Sequence, residues 1–184
     1  VLGRNLLLDS LSKGYIKPEE IDFIRSFMWD DEGSILEVGA YVGKTFHYLH
    51  QHRPNWDYVG VDPWEIRPFR MTDPNIEFNR TSDDPESHSK YFKENCPFAT
   101  CHIDYYENIL FTKDTFDVII LSAALPNIDM KFHYTKAVRE IKEDGVIIGR
   151  YLNHPKYSKL VEEAVNSIRP ENFMNFNGSM FAIW

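Results

Sequence analysis

The stretch Ser34-Ile-Leu-Glu37-Val-Gly39-Ala40-Tyr41-Val-Gly43-Lys44-Thr45 holds the groups best suited to ligand chemistry. A carboxylate, Glu37, ends a short apolar run, and Gly39 and Gly43 follow it. A carboxylate in that place accepts hydrogen bonds from ammonium and hydroxyl groups. Gly43-Lys44-Thr45, by contrast, spells the end of a loop that wraps phosphates in backbone N–H groups. Further along, a second apolar run, Tyr58-Val-Gly60-Val61, ends in another carboxylate, Asp62.

A phosphate loop needs four residues between its first glycine and Gly-Lys-Thr. Gly39 stands one residue too close, and Val38 occupies the place that should be glycine. The loop's mouth would also carry Glu37, which repels phosphate. A dinucleotide fingerprint needs a glycine two residues after the first, so that the backbone can approach a pyrophosphate. Tyr41 stands there and would obstruct it.

A third pattern fits better. Glu37-Val-Gly39-Ala-Tyr-Val-Gly43 resembles the first motif of class I S-adenosylmethionine-dependent methyltransferases. Val59-Gly-Val-Asp62-Pro63-Trp64, Thr115-Phe-Asp-Val-Ile-Ile-Leu-Ser122 and Ile141-Lys-Glu-Asp-Gly145-Val-Ile-Ile-Gly149 follow in that family's order, covering roughly residues 34 to 150. The bulky residue between the glycines and the "VGVDPW" and "GVIIG" segments are similar to the small-molecule and sugar O-methyltransferase-like branch. The resemblance implies S-adenosyl-L-methionine as cofactor. Glu37, Gly39, Ala40, Tyr41 and Gly43 would then border its methionine end, with Ser122 nearby. Asp62 would accept from both ribose hydroxyls, and Pro63, Trp64 and Asp104 would lie on the adenine side.

The resemblance breaks on the catalytic side. That branch commonly places a metal-binding aspartate where this chain has Ser122, and a histidine where it has Leu125. It commonly carries histidine then aspartate, as base and metal ligand, where this chain has Arg150 and Tyr151. Serine is a poor magnesium ligand and arginine is no general base at physiological pH, so no metal is expected. A sulfonium methyl donor needs chiefly an acceptor held in line. Candidates to hold it are Tyr41, Arg150, Tyr151 and His154, with Arg67 and Arg70 as possible anchors for an acidic acceptor. The leading expectation is methyl transfer to a small molecule, an acidic acceptor being one candidate, without an obligatory metal. The alternatives are a catalytically degenerate cofactor or nucleoside sensor, and a nucleotide-using enzyme built on Gly43-Lys44-Thr45.

These residues need elements to position them. Pro18-Glu-Glu-Ile21 opens a helix with an apolar stripe at Ile21, Ile24 and Phe27/Met28. Strands are expected at 34–38, 58–61, 100–103, 116–121 and 146–148, with helices between them. Glu143-Asp144-Gly145 reads as a turn, and Val161, Ala164, Val165 and Ile168 as a last amphipathic helix. Asn177-Gly178 is a hairpin signal between two terminal strands. Alternating strands and helices predict an α/β, doubly wound, mostly parallel seven-stranded sheet with a C-terminal antiparallel hairpin. Ligands of such sheets sit beyond the carboxyl ends of the strands. Glu37, Asp62, Asp104 and Ser122 fall there. The long segment from Trp64 to about Ser82 lacks a regular pattern.

The 184 residues suit a single domain, with 1–30 as a helical extension, 34–150 as the cofactor-binding core and 151–184 as helix and hairpin. The chain is 43% hydrophobic and carries a formal charge of -8 with no basic run, which opposes nucleic acid and anionic membranes as partners. Cys96 and Cys101 alone make neither a disulfide scaffold nor a zinc site. Leu6-Leu7-Leu8, interrupted by Asp9, lacks the apolar core of a signal peptide. A cytoplasmic location is therefore expected. The oligomeric state stays open, a homodimer included. His47, His50 and His52 read as ordinary surface histidines, since no nearby acid joins them.

Overall fold

The computed structural model describes residues 16–64, 85–122 and 129–184. The chain forms α1 (Pro18–Arg25), β1 (Ser34–Val38), α2 (Lys44–His50), β2 (Asp57–Val61), α3 (Pro85–Asn95) and β3 (Thr100–His102). A short 3-10 turn (Tyr106–Asn108) leads to β4 (Phe116–Leu121), α4 (Met130–Glu140), β5 (Ile141–Arg150), α5 (Ser158–Ile168), β6 (Phe173–Asn175) and β7 (Met180–Ile183). Arg67, Arg70, Leu125 and most of the segment from Trp64 to Ser82 lie outside the described residues.

The strands build one seven-stranded sheet in the order β3-β2-β1-β4-β5-β7-β6. All ladders from β3 to β5 are parallel, and β7 runs against both β5 and β6. The expected fold class is therefore what the chain adopts. Strand order reverses between β1 and β4, whose last pair is Val38 with Leu121. Ligands of open α/β sheets bind at such a reversal.

Period-two alternation along the strands sorts side chains onto two faces. Ile35, Val118, Ile120, Val146 and Ile148 meet α1, α2 and α3 on one face. Leu36, Val38, Ile119, Leu121 and Ile147 meet α4 and α5 on the other. Gly60 is glycine because Phe92 of α3 packs straight onto β2: an added Cβ would lie 2.6 Å from the Phe92 ring. The hairpin closes as expected. Gly178 takes φ +75°, and the Asn177 side chain accepts from the N–H groups of Ser179 and Met180.

One expectation changes. The turn at Glu143–Gly145 is part of β5, which reaches back to Ile141. Two residue steps on β4 (Phe116 to Val118) face five on β5 (Ile141 to Val146), so the intervening residues bulge outward. Lys142, in the bulge, donates to both oxygens of Asp117 at 2.8 Å, and Asp117 also accepts from the Ser34 N–H at 2.7 Å. This tie holds the bulge in the sheet, where the local letters spell a turn. Among the described residues, no helix is long and apolar enough to cross a membrane.

Candidate active site

The chain leaves β1 through a bend with alternating strain. Gly39 (φ +87°), Tyr41 (φ +48°) and Gly43 (φ +77°) all lie in the left-handed region. Glycine adopts it freely, whereas tyrosine adopts it only when surroundings impose it. Asp62 imposes it here: its Oδ2 accepts from the Tyr41 N–H at 3.0 Å. Its Oδ1 accepts from the Trp64 N–H at 2.9 Å, and the Trp64 indole N–H donates to the Tyr41 carbonyl at 2.7 Å. The bend after β1 and the tip of β2 are thus one unit. Burial pushes the Asp62 carboxyl above the usual carboxylate range, and the Trp64 and Tyr41 N–H groups oppose that shift. Each Asp62 oxygen keeps a further lone pair beyond these backbone bonds.

The bend is braced from beneath by the end of α3. Asn95 donates its amide to the Val42 carbonyl at 2.7 Å, and the Cys96 thiol donates to the Gly43 carbonyl at 3.2 Å. A Cβ on Gly43 would lie 2.6 Å from that sulfur, which explains the glycine. Burial raises the Cys96 thiol well above its ordinary range, so it is a structural group and not a nucleophile.

Glu37 is 3% exposed and sits under the bend. Its Oε1 accepts from the Thr45 hydroxyl and from the Ser122 hydroxyl, each at 2.9 Å. Its Oε2 is buried and has no hydrogen-bond partner among the described residues. Burial raises the carboxyl to about 7, against the lowering effects of Thr45, Ser122 and Arg150. Ser122 is therefore a support for Glu37 at the strand reversal. Thr45, which the local letters assign to a first helical turn, is its second support. With its hydroxyl turned inward to Glu37, Thr45 does not present the metal-binding hydroxyl of a phosphate loop.

Arg150 stands at the end of β5 on the α1 face, and its guanidinium donates to Glu20 of α1 at 2.7 Å. The two side chains are 14% and 4% exposed, so the pair is largely shielded from water. Glu20 also accepts from the Lys17 N–H at 2.9 Å, which caps α1. Arg150 thereby ties α1 to the carboxyl end of the sheet. Arg150→Ala is expected to cost about 3 kcal/mol in denaturant unfolding, because it strands a buried carboxylate. Adding Glu20→Ala should recover part of that loss.

Tyr151 follows with φ +70° and packs edge-on against His154 and Tyr157, which stack on each other at 4.6 Å. The His154 Nδ1 accepts from the Lys156 N–H at 3.2 Å, which places the proton of the neutral ring on Nε2. His154 thus carries its ring N–H donor on Nε2. Asp104 is exposed and accepts from Tyr105 N–H and the Asn108 side-chain amide, just before the 3-10 turn. Trp64 is 8% exposed and packs on Phe92, so it props the bend from within. The Tyr41 hydroxyl lies 3.5 Å from His88 of α3. His50 stacks on Phe98 at 3.6 Å, and no metal-type cluster of His, Cys, Asp or Glu forms among the described residues.

This arrangement can receive a ligand rich in ammonium and hydroxyl groups: a buried carboxylate oxygen lacks a partner, and Asp62 has lone pairs to offer nearby. The strand order matches the fold of class I S-adenosylmethionine-dependent methyltransferases. Among solved structures, a precorrin-6y C5,15-methyltransferase from Geobacter metallireducens is similar with a TM-score of 0.64 at 10% identity, over 92% of this chain and 89% of that one. A TehB-like SAM-dependent methyltransferase from Corynebacterium glutamicum gives 0.59 at 16% identity, over 98% and 91%. Geranyl diphosphate C-methyltransferase from Streptomyces coelicolor, solved with Mg²⁺, geranyl diphosphate and S-adenosyl-L-homocysteine, gives 0.59 at 9% identity, over 85% of this chain and 62% of that one. Identities this low establish shared fold alone. No curated protein matches the chain at a significant level of sequence similarity. The methyltransferase-domain family profile matches residues 15–177. On that match across most of its length, the chain belongs to the methyltransferase domain family.

Proposed function

We propose that the protein binds S-adenosyl-L-methionine and transfers its methyl group to a small molecule. One observation carries this reading: the Asp62 carboxylate is bonded to the very bend beneath which Glu37 keeps an unpartnered buried oxygen. A single ligand with an ammonium at one end and vicinal hydroxyls further along would satisfy both. Glu37, Gly39, Ala40, Tyr41 and Gly43 would hold the methionine end, and Asp62 the ribose. Pro63, with Trp64 behind it, would border the adenine, and Asp104 would act only through its bond to Asn108 of the 3-10 turn. The "VGVDPW" and "GVIIG" segments support placement in the small-molecule branch of the family.

The bound cofactor supplies an electrophilic methyl group on a sulfonium. The chain's residues contribute orientation and exclusion of water. Arg150 is charge-balanced by Glu20, so the described residues at the strand ends give no free cation for an acidic acceptor. Tyr151, His154 and Tyr157 form an aromatic edge beside β5, and His154 presents a hydrogen-bond donor there. An acceptor that is already nucleophilic, such as an amine or thiolate, suits a site in which His154 donates.

Titration calorimetry tests the reading. Saturable one-to-one binding of S-adenosyl-L-homocysteine, with no heat from magnesium ATP, is the expected outcome. Binding of magnesium ATP alone would sink it. Incubation with labelled cofactor and an acceptor panel then separates enzyme from sensor: labelled product establishes transfer, whereas binding without product across the panel overturns the catalytic half.

A further inference from the structure

The edge of the sheet opposite β3 is β6, and no strand among the described residues pairs with its outer side. Asn172 and Trp184 exchange backbone bonds at 3.0 and 3.4 Å, and the Phe176 N–H donates to Met180 at 3.0 Å. Antiparallel alternation then turns the N–H and C=O groups of Phe173 and Asn175 outward, away from β7. Among the described residues nothing takes them up. The side chains above and below this edge are apolar and open: Phe173 is 49% exposed, Met174 46% and Phe176 38%. Met174 and Phe176 share the α1 face with Trp184, and Phe176 stacks on Phe23 of α1 at 4.4 Å. Phe173 lies on the opposite face, against Phe181 at 5.5 Å.

Exposed edge strands normally carry lysine, proline or inward charges that block pairing. The run Phe173-Met-Asn-Phe-Asn-Gly-Ser-Met180 has none, in a chain whose net charge is -8. It is thus a place where two copies of this anionic chain can approach without opposing like charges. The pattern is also self-complementary. An antiparallel pairing of β6 with itself, centred on Met174, sets Phe173 against Asn175 of the second copy and Asn175 against its Phe173. Those are the residues with outward backbone groups.

We propose that the protein forms a two-fold dimer through β6, continuing the sheet from one copy into the other, with Met174 facing Met174 across the axis. Such an interface is isologous and closes on itself. It leaves the ends of β1, β2 and β4 untouched, because β5 and β7 intervene in the sheet.

Sedimentation equilibrium of the full chain should show the mass doubling as concentration rises to roughly 100 μM, the range expected of a modest interface. Met174→Lys and Met174→Glu each set like charges opposite one another, and each should weaken the dimer roughly 100-fold or more. An equimolar mixture of the two variants should restore a heterodimer, which only direct 174-to-174 pairing explains. In the unsubstituted chain, the Phe173 and Asn175 amides should exchange slowly at high concentration and fast at low concentration. A chain that stays monomeric overturns the proposal, as does a dimer that neither charge weakens. Amides equally protected at both concentrations would mean that the chain covers its own edge, and would also overturn it. Should either variant fail to fold, the amide exchange of the unsubstituted chain decides alone.

Discussion

Asp62→Ala is expected to weaken S-adenosyl-L-homocysteine binding roughly 100-fold or more, the consequence of losing charge-assisted bonds of about 1.5–3 kcal/mol each. The carboxylate has two duties, and alanine removes both. It would accept from the ribose hydroxyls of the ligand. It also holds the Tyr41 N–H and the Trp64 N–H, so its loss releases the strained φ of Tyr41 and the indole bond that depends on it. The conservative change separates the two duties. Asp62→Asn retains one carbonyl oxygen and no charge, so it can keep one backbone N–H but not both. Its affinity should fall less than that of the alanine variant, and its melting temperature should stay nearer the parent's. Calorimetric titration together with thermal unfolding gives both readings. An alanine variant that binds as tightly as the parent would remove Asp62 from the site. Lys44→Ala supplies the contrast: a phosphate-loop lysine would be indispensable to its ligand, whereas here little change is expected.

The legible part of this site was set by backbone geometry. A bend that must enter the left-handed region after a buried strand requires glycine at 39 and 43, and that requirement shows in the letters. Strand tips that end in carboxylates, and the Asn177-Gly178 hairpin, are equally local. The supports of the acids are not. Ser122 reaches Glu37 across 85 positions, and Glu20 reaches Arg150 across 130. Nothing in the neighbourhood of either residue spells such a partner, because the sheet order alone creates the contact. The same holds for Cys96 beneath Gly43. At β5 the local letters favour a turn, and the tie from Lys142 to Asp117 instead keeps the bulge within the strand. Local chemistry thus reveals the bends and acids that stand at the strand ends, and topology reveals what holds those groups in place.

Glu37 joins these two levels, and its replacement by glutamine should move stability and binding in opposite directions. The carboxyl has an ordinary value of 4.5 and is raised to about 7 by burial. Below 4.5 it is protonated in both folded and unfolded chains. Between 4.5 and about 7 the unfolded chain ionises while the folded chain keeps its proton, so the folded state loses ground as pH rises. Above about 7 both forms are ionised and the loss is complete, amounting to about 3 kcal/mol for a shift of this size. Glutamine does not titrate. Its amide oxygen can still accept from the Thr45 and Ser122 hydroxyls, and its NH₂ replaces the partnerless Oε2. The variant should therefore match the parent in stability near pH 4 and exceed it by about 3 kcal/mol near pH 8, a difference in which the other titrating groups cancel. Its affinity for S-adenosyl-L-homocysteine at pH 8 should drop about 10- to 100-fold, because a neutral amide cannot pair with the ligand's ammonium. In the parent, affinity should rise with pH through about 7, with proton release on binding visible as a buffer-dependent heat. Denaturant unfolding at the two pH values and calorimetry in two buffers measure all of this. A glutamine variant that is less stable at pH 8, or that binds the ligand undiminished, would show that the buried oxygen of Glu37 awaits no cation.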